Sequence, residues 1–143
     1  MYEAGLGIVA KDYKEAIKWY RLSAEQGDSK AQGRTGFMFY KGWGAAQDNK
    51  EAVRWFRLAA EQGNDFGQIA LGQIYADGQG VVQDYVRAHM WFNLAAASLS
   101  SEDDKIAANS RSAVAAKMTP AQIERAQEMA RKCQESNFKD CGW

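Results

Sequence analysis

Apolar residues recur along the first hundred positions with the spacing of a helix rather than a strand. Ala16, Trp19, Tyr20 and Ser23 stand at i, i+3, i+4 and i+7; the set returns as Ala52, Trp55, Phe56 and Ala59 and as Ala88, Trp91, Phe92 and Ala95. Each set forms one stripe along a helix. A shorter stripe precedes the second and third: Thr35, Met38 and Phe39, then Leu71, Ile74 and Tyr75. The pattern predicts A helices, which carry the shorter stripe, alternating with B helices. With 13 glycines and a single proline, Pro120, it describes helices separated by glycine turns, an all-α chain.

The stripes belong to an internal repeat. Trp19, Trp55 and Trp91 are separated by 36 and 36 residues, and the segments 12–27 and 48–63 share 11 of 16 positions. Gly36, Phe39, Gly42, Gly44 and Gln47 return at the same offset as Gly72, Tyr75, Gly78, Gly80 and Gln83. The expected boundaries are a partial first repeat at 1–27, full repeats at 28–63 and 64–99, and a C-terminal section at 100–143. Gly36 and Gly72 fall in mid-helix, where glycine costs about 1 kcal/mol against alanine, so close approach of a neighbouring helix is expected there.

Local punctuation supports these elements. Gly27-Asp28 and Gly63-Asn64 place a turn residue after a B helix and an N-cap acceptor before the next A helix. Asp12 with Glu15, and Asp48 with Glu51, have capping-box spacing at the expected starts of the first two B helices. Beyond residue 99 the pattern changes. Ser101 with Asp104 is read as the cap of a helix to about Lys117, with Ile106, Ser110, Ala113 and Val114 on one face. Thr119-Pro120-Ala121-Gln122 opens a last helix to about Glu135. The two helices form a capping pair over the final repeat face. At the other end the chain begins inside a unit, so it is either a fragment of a longer array or has a partly uncovered first B helix.

Composition removes several kinds of chemistry. Lys plus Arg and Asp plus Glu both total 18, giving no net positive field to hold nucleic acid. No apolar run approaches the roughly 20 residues of a membrane helix, so no membrane insertion is expected. His89 is the lone histidine and neighbours Met90 and Trp91 in a B helix, with no nucleophile at a fixed offset. A hydrolase would have to use that one base. Neither metal nor cofactor is expected: two cysteines cannot make a four-thiolate site, and Glu102-Asp103-Asp104 fits the dipole of a helix start. Gly78-Gln79-Gly80 lacks the third glycine and the flanking strand of a phosphate loop.

The spacing A-x-x-x-L-G-x-x-Y-x-x-G-x-G-V-x-x-D-x-x-x-A-x-x-W-[YF]-x-x-A-A-x-Q-G closely resembles the Sel-1-like repeat, a relative of the tetratricopeptide repeat. Leu71-Gly72, Tyr75, Gly78-Gln79-Gly80-Val81, Asp84, Ala88, Trp91-Phe92 and Ala95-Ala96 carry it in the third unit. The segment from Met90 to Ala97, with the tail through Met118-Thr119-Pro120, is similar to the C-terminal end of bacterial members. Thr35, Gly67 and Ala45 depart from the pattern, the first unit carries one extra residue between Gly7 and Asp12, and the third lacks Gln-Gly. The resemblance implies a right-handed α-solenoid acting as a non-enzymatic adaptor for a protein or peptide. A cysteine-rich branch of the family is associated with β-lactam binding and hydrolysis, but its repeats carry paired internal cysteines. Units 1 to 3 here have none. A hydrolase or small-ligand protein using the same groove is therefore the alternative.

One face of the A helices is not explained by packing. Lys30, Arg34, Phe37 and Lys41 lie off the core stripe, with Tyr40 and Trp43 beside them; their counterparts 36 residues on are Phe66, Ala70, Gln73 and Asp77. In a solenoid of helix pairs this face is concave, so Lys30, Arg34, Phe37, Tyr40, Lys41, Gln73 and Asp77 are candidate partner-binding residues. An ordinary solvated face with one stray aromatic is the competing description. Cys133 and Cys141, eight apart in the tail, are expected to form a disulfide across a turn at Asn137, with Phe138 docked on the last helix. Two separate thiols in a reducing cytosol are the other possibility. The start of the chain has no signal-peptide character, as a processed protein would not either, so the bridge is what favours a periplasmic or secreted setting over the cytoplasm.

Overall fold

Helices form where the stripes predict them and stop where the turns intervene. The computed structural model describes residues 6–98 and 103–142, which form α1 (Leu6–Glu25), α2 (Ser29–Lys41), α3 (Asn49–Glu61), α4 (Asp65–Asp77), α5 (Tyr85–Ala96), α6 (Asp103–Ala115) and α7 (Pro120–Glu135). Among the described residues there is no strand. The B helices are α1, α3 and α5, and the A helices are α2 and α4. Each helix packs on the next through α6, while α7 returns to α5, so the chain is a solenoid of helix pairs.

Side-chain caps begin most helices. Asp28 accepts from the Lys30 N–H, Asp48 from Lys50 and Glu51, Asn64 from Gly67, and Asp84 from Arg87. Thr119 and Gln122 form the full capping box on α7. Asp12 does not act as a cap: α1 begins at Leu6 and runs straight through it. The loop ahead of α3 is held open by the Asp48 N–H bonded to the Phe39 carbonyl of the preceding A helix at 2.9 Å. Among the described residues no helix offers that carbonyl to Asp12, and the helix propagates backwards. The Ser101–Asp104 cap expected for α6 involves residues outside those described.

Close approach explains the mid-helix glycines. A Cβ built on Gly36 would stand 2.9 Å from the Phe56 ring and 3.1 Å from the Ala52 carbonyl; one on Gly72 would stand 2.6 Å from the Phe92 ring. The two Gly-x-Gly loops also work through packing. Gly44 and Gly80 have φ of +81° and +79°, and a Cβ on them would collide with the Tyr13 carbonyl and with Asn49, which lie one repeat apart in the preceding B helices α1 and α3.

The core follows the stripes with one exception. Ala52, Trp55, Phe56 and Ala59 of α3 and Ala88, Trp91, Phe92 and Ala95 of α5 are buried. Trp19, expected to share that core, is 63% exposed. The face that α2 covers on α3, and α4 covers on α5, has no described helix over it on α1. Buried Gln32 and Gln68, one repeat apart, donate to the Ala24 and Ala60 carbonyls at the ends of α1 and α3, at 3.2 and 3.4 Å. Each of these carbonyls also accepts from the turn glycine that follows, Gly27 or Gly63, so the glutamine ties the next A helix to the end of the B helix before it.

The C-terminal pair stands over the last unit: α6 packs on α5 and reaches α4, and α7 packs on α5. The face expected for α6 is corrected. Ile106 is 53% exposed and Ala113 is exposed, whereas Ala107 and Val114 are buried. Small Ala107 lets α6 approach α5 closely, and Arg111 reaches Asn93 Oδ1 at 2.6 Å. After α7 the Asn137 N–H bonds to Gln134 and the Phe138 N–H to Cys133, the paired pattern of a Schellman turn. Asn137 and Phe138 have φ of 57° and 65°, and Cys133 and Cys141 are bonded with their Cα atoms 4.4 Å apart. The Phe138 ring packs against the core cluster that includes Ala130 and Cys133 of α7 and also lies over Gly63, in the turn between α3 and α4; a Cβ there would be 3.2 Å from the ring.

Candidate interaction groove

The outer face of α2 is one wall of a groove of about 1090 Å³. Lys30, Arg34 and Phe37 line it from α2, Tyr13 and Tyr20 from α1, Trp43 from the following loop, and Asn64 and Phe66 from the start of α4. Its aromatics are in contact. Tyr13 stacks on Trp43 with centroids 4.8 Å apart, Trp43 meets Phe37 edge to face at 5.4 Å, and Phe37 meets Phe66 at 5.8 Å. Phe66 in turn meets the buried Phe56 at 5.9 Å, so the surface aromatics are anchored to the core. The Arg34 guanidinium lies 5.7 Å from the Tyr20 ring centroid, and the Lys41 ammonium lies 5.8 Å from that of Phe37.

The seven residues singled out from the sequence therefore divide. Lys30, Arg34 and Phe37 line the groove together. Tyr40 donates its hydroxyl to Gln79 Oε1 at 2.8 Å, joining α2 to the loop after α4, and Lys41 also lies over its ring. Gln73 bonds to Asp77 within α4 at 3.0 Å, outside the lining. Tyr13, Tyr20 and Phe66 belong to the groove without having been picked out. In the sequence pattern Tyr20 belongs to the core stripe, and Phe66 is the counterpart of Lys30. The signal that separates them is comparison of units, since Lys30 and Phe66 share one position in successive repeats and differ completely in chemistry.

His89 lies apart from this surface. It is 3% exposed, and burial, followed by the charge of Arg111, lowers its pKa below the ordinary value of 6.5. Its Nδ1 has no hydrogen-bond partner among the described residues. A neutral ring packed in α5 has no access to a substrate in the groove. Among the described residues no group of three or more His, Cys, Asp or Glu side chains could hold a metal ion. No helix among them is long and apolar enough to cross a membrane.

Comparison with known proteins agrees with the repeat geometry. No curated protein matches the chain significantly. Among solved structures, the chain is similar to a protective antigen of uropathogenic Escherichia coli strains that displays an SLR fold, at 32% identity and a TM-score of 0.80, over 87% of this chain and 27% of the antigen. It is also similar to a Sel1 repeat protein from Oxalobacter formigenes, at 26% identity and a TM-score of 0.56, over 87% of this chain and 57% of that one. The chain thus spans about a quarter of the first relative's length and somewhat over half of the second's. Proteins with this fold are typically protein–protein interaction scaffolds and generally non-enzymatic. The Sel1 repeat model matches residues 1–28, 29–64 and 66–98, and with three such units stacked as a helical solenoid the chain belongs to the Sel1 repeat family.

Proposed function

We propose that this chain is a non-enzymatic interaction module that binds a protein or peptide in the groove along α2. One observation carries the proposal: positions required for stacking recur between units, whereas positions in the groove do not. Gly36 and Gly72, Phe56 and Phe92, and Gln32 and Gln68 are paired by the repeat and do the same packing work. Lys30, Arg34 and Phe37 correspond instead to Phe66, Ala70 and Gln73. The groove holds an anchored aromatic cluster, two cations on its α2 wall and one carboxylate, Asp65, which accepts from the Ser98 hydroxyl; the α2 wall suits a segment carrying acidic and apolar side chains.

The test is capture from the source organism by immobilised protein, comparing the native sequence with Arg34→Glu combined with Phe37→Ala. Loss of the captured partner, with helical circular dichroism retained, is expected. Unchanged capture would refute the groove as the site. The Cys133–Cys141 bond supports a periplasmic or secreted setting, because such bonds persist outside the reducing cytosol. Native-source protein that takes up alkylating reagent at both cysteines without prior reduction would overturn that assignment.

A further inference from the structure

Ile106 is a large apolar side chain that the packing of α6 leaves in water: it is 53% exposed although Ala107 beside it is buried. The repeat explains where it stands. The period of 36 that relates α2 to α4 also relates α4 to α6, since buried Thr35 and Leu71 are followed by buried Ala107, and exposed Gln73 and Asp77 by exposed Asn109 and Ala113. Ile106 is therefore the third member of a row that begins at Arg34 and passes through Ala70, and beside it runs a second row of Lys41, Asp77 and Ala113. α2 stands next to α4 and α4 next to α6, so the rows cross one continuous face. No position of α1 belongs to them.

The face changes character along its length. Its α2 end presents Arg34 and Lys41, both exposed, and neither is paired with a carboxylate among the described residues. Asp77, the counterpart of Lys41, accepts instead from Gln73 Nε2 within α4 at 3.0 Å. Its α6 end carries no charge at the equivalent positions and offers the Ile106 side chain and the Ala113 methyl group. Stacking does not select this gradient, because Arg34, Lys41 and Ile106 all lie off the buried stripes of their helices.

We infer that this face takes an extended peptide segment of a partner protein in a fixed order, with acidic side chains at the α2 end and an aliphatic side chain on Ile106. The inference rests on the proposal that α2 lines the binding site, and it adds the far end of that site and the sequence of chemistry along its ligand. Charge complementarity to Arg34 and Lys41 sets the acidic end, and covering a half-exposed isoleucine sets the aliphatic one. Neighbouring helix axes in such packing lie about 9 Å apart, which places Arg34 and Ile106 about 18 Å from each other, the span of about five or six residues of extended chain.

The probe is a phage-displayed library of random peptides, each about twelve residues long, panned against the intact protein. Enriched sequences are expected to carry acidic residues about five or six positions from an aliphatic one. A fluorescein-labelled copy of the most enriched peptide is then titrated by fluorescence anisotropy. Ile106→Asp should weaken binding about tenfold, and Arg34→Glu combined with Lys41→Glu by a similar factor, with helical circular dichroism retained because all three side chains are exposed. A peptide whose acidic residues are replaced by lysine should bind the charge-reversed protein again but not Ile106→Asp. No enrichment, sequences without that pairing, or an affinity that Ile106→Asp leaves unchanged overturns the inference. If binding then still depends on Arg34 and Phe37, the groove along α2 stands and only its extension to α6 falls; if it depends on neither, both fall. A dimer of the native protein in sedimentation that Ile106→Asp dissociates would overturn the inference in favour of a second copy of the chain.

Discussion

Replacing Gly72 by alanine sets two opposed effects against each other. Helix propensity alone favours the change by about 1 kcal/mol, because alanine loses less backbone entropy than glycine in mid-helix. The structure opposes it. The new methyl would lie 2.6, 2.7 and 2.9 Å from three atoms of the Phe92 ring, and Phe92 is 1% exposed and packed with Ala88 and Val114. Ordinary contact would require ring or helix to retreat by most of an ångström. Overpacking of this kind typically costs about 1–3 kcal/mol, and here the obstacle is a ring face rather than a flexible chain end, which places the cost at the upper end. The expected net effect is a loss of about 1–2 kcal/mol, or about 3–6 °C in the thermal midpoint of a domain this size. Urea denaturation followed by circular dichroism measures it, and Gly72→Ala combined with Phe92→Leu completes a double-mutant cycle. In that background the alanine should recover most of the loss. A midpoint raised by Gly72→Ala alone would refute the close approach of α4 and α5.

Trp55→Ala should lose about 3–5 kcal/mol in chemical denaturation, while Trp19→Ala, removing a ring that is 63% exposed, should lose no more than about 1 kcal/mol; equal losses would show that the two helices are covered alike. His89 gives a pH dependence of definite sign. Its folded pKa lies below the ordinary 6.5, so as pH falls the unfolded chain takes up the proton first. Its contribution to stability is therefore intact above about 6.5 and declines as pH drops below that value towards the lowered one. Thermal midpoints from pH 7.5 to 5.5 should fall less steeply in His89→Gln than in the native protein, and identical slopes would exclude a buried neutral ring.

The period of 36 and the helical stripes carry most of the architecture, because stacking makes the same demands in every unit. Gly36 and Gly72 illustrate this: their mid-helix cost in the sequence already implies the approach that Phe56 and Phe92 make. Asp12 and Trp19 depart from the pattern for the converse reason. Their repeat equivalents are fixed by a neighbouring A helix, so identical residues take different states where that helix is not among those described. Ile106 was misplaced because the α5 surface selects small Ala107 over a larger apolar side chain, a choice made by the facing helix and not visible in the α6 pattern. The groove was half legible. Lys30, Arg34 and Phe37 stand out as off-stripe residues, whereas Tyr13, Tyr20 and Phe66 join them through contacts between separate helices.

The contact of Phe138 with Gly63 alters how the array behaves as a whole. Linear repeat proteins unfold in pieces because each unit touches only its immediate neighbours, and terminal units fray first. Here the disulfide-closed tail passes over the final unit and reaches the turn between α3 and α4, while Arg87 near the start of α5 holds the Gly142 carbonyl. Opening the C-terminal end therefore disturbs an interior boundary, and opening that boundary releases the tail. The far end of the solenoid becomes thermodynamically part of its middle, so a segment that usually behaves as the loosest in a repeat array is tied to the wall of its groove.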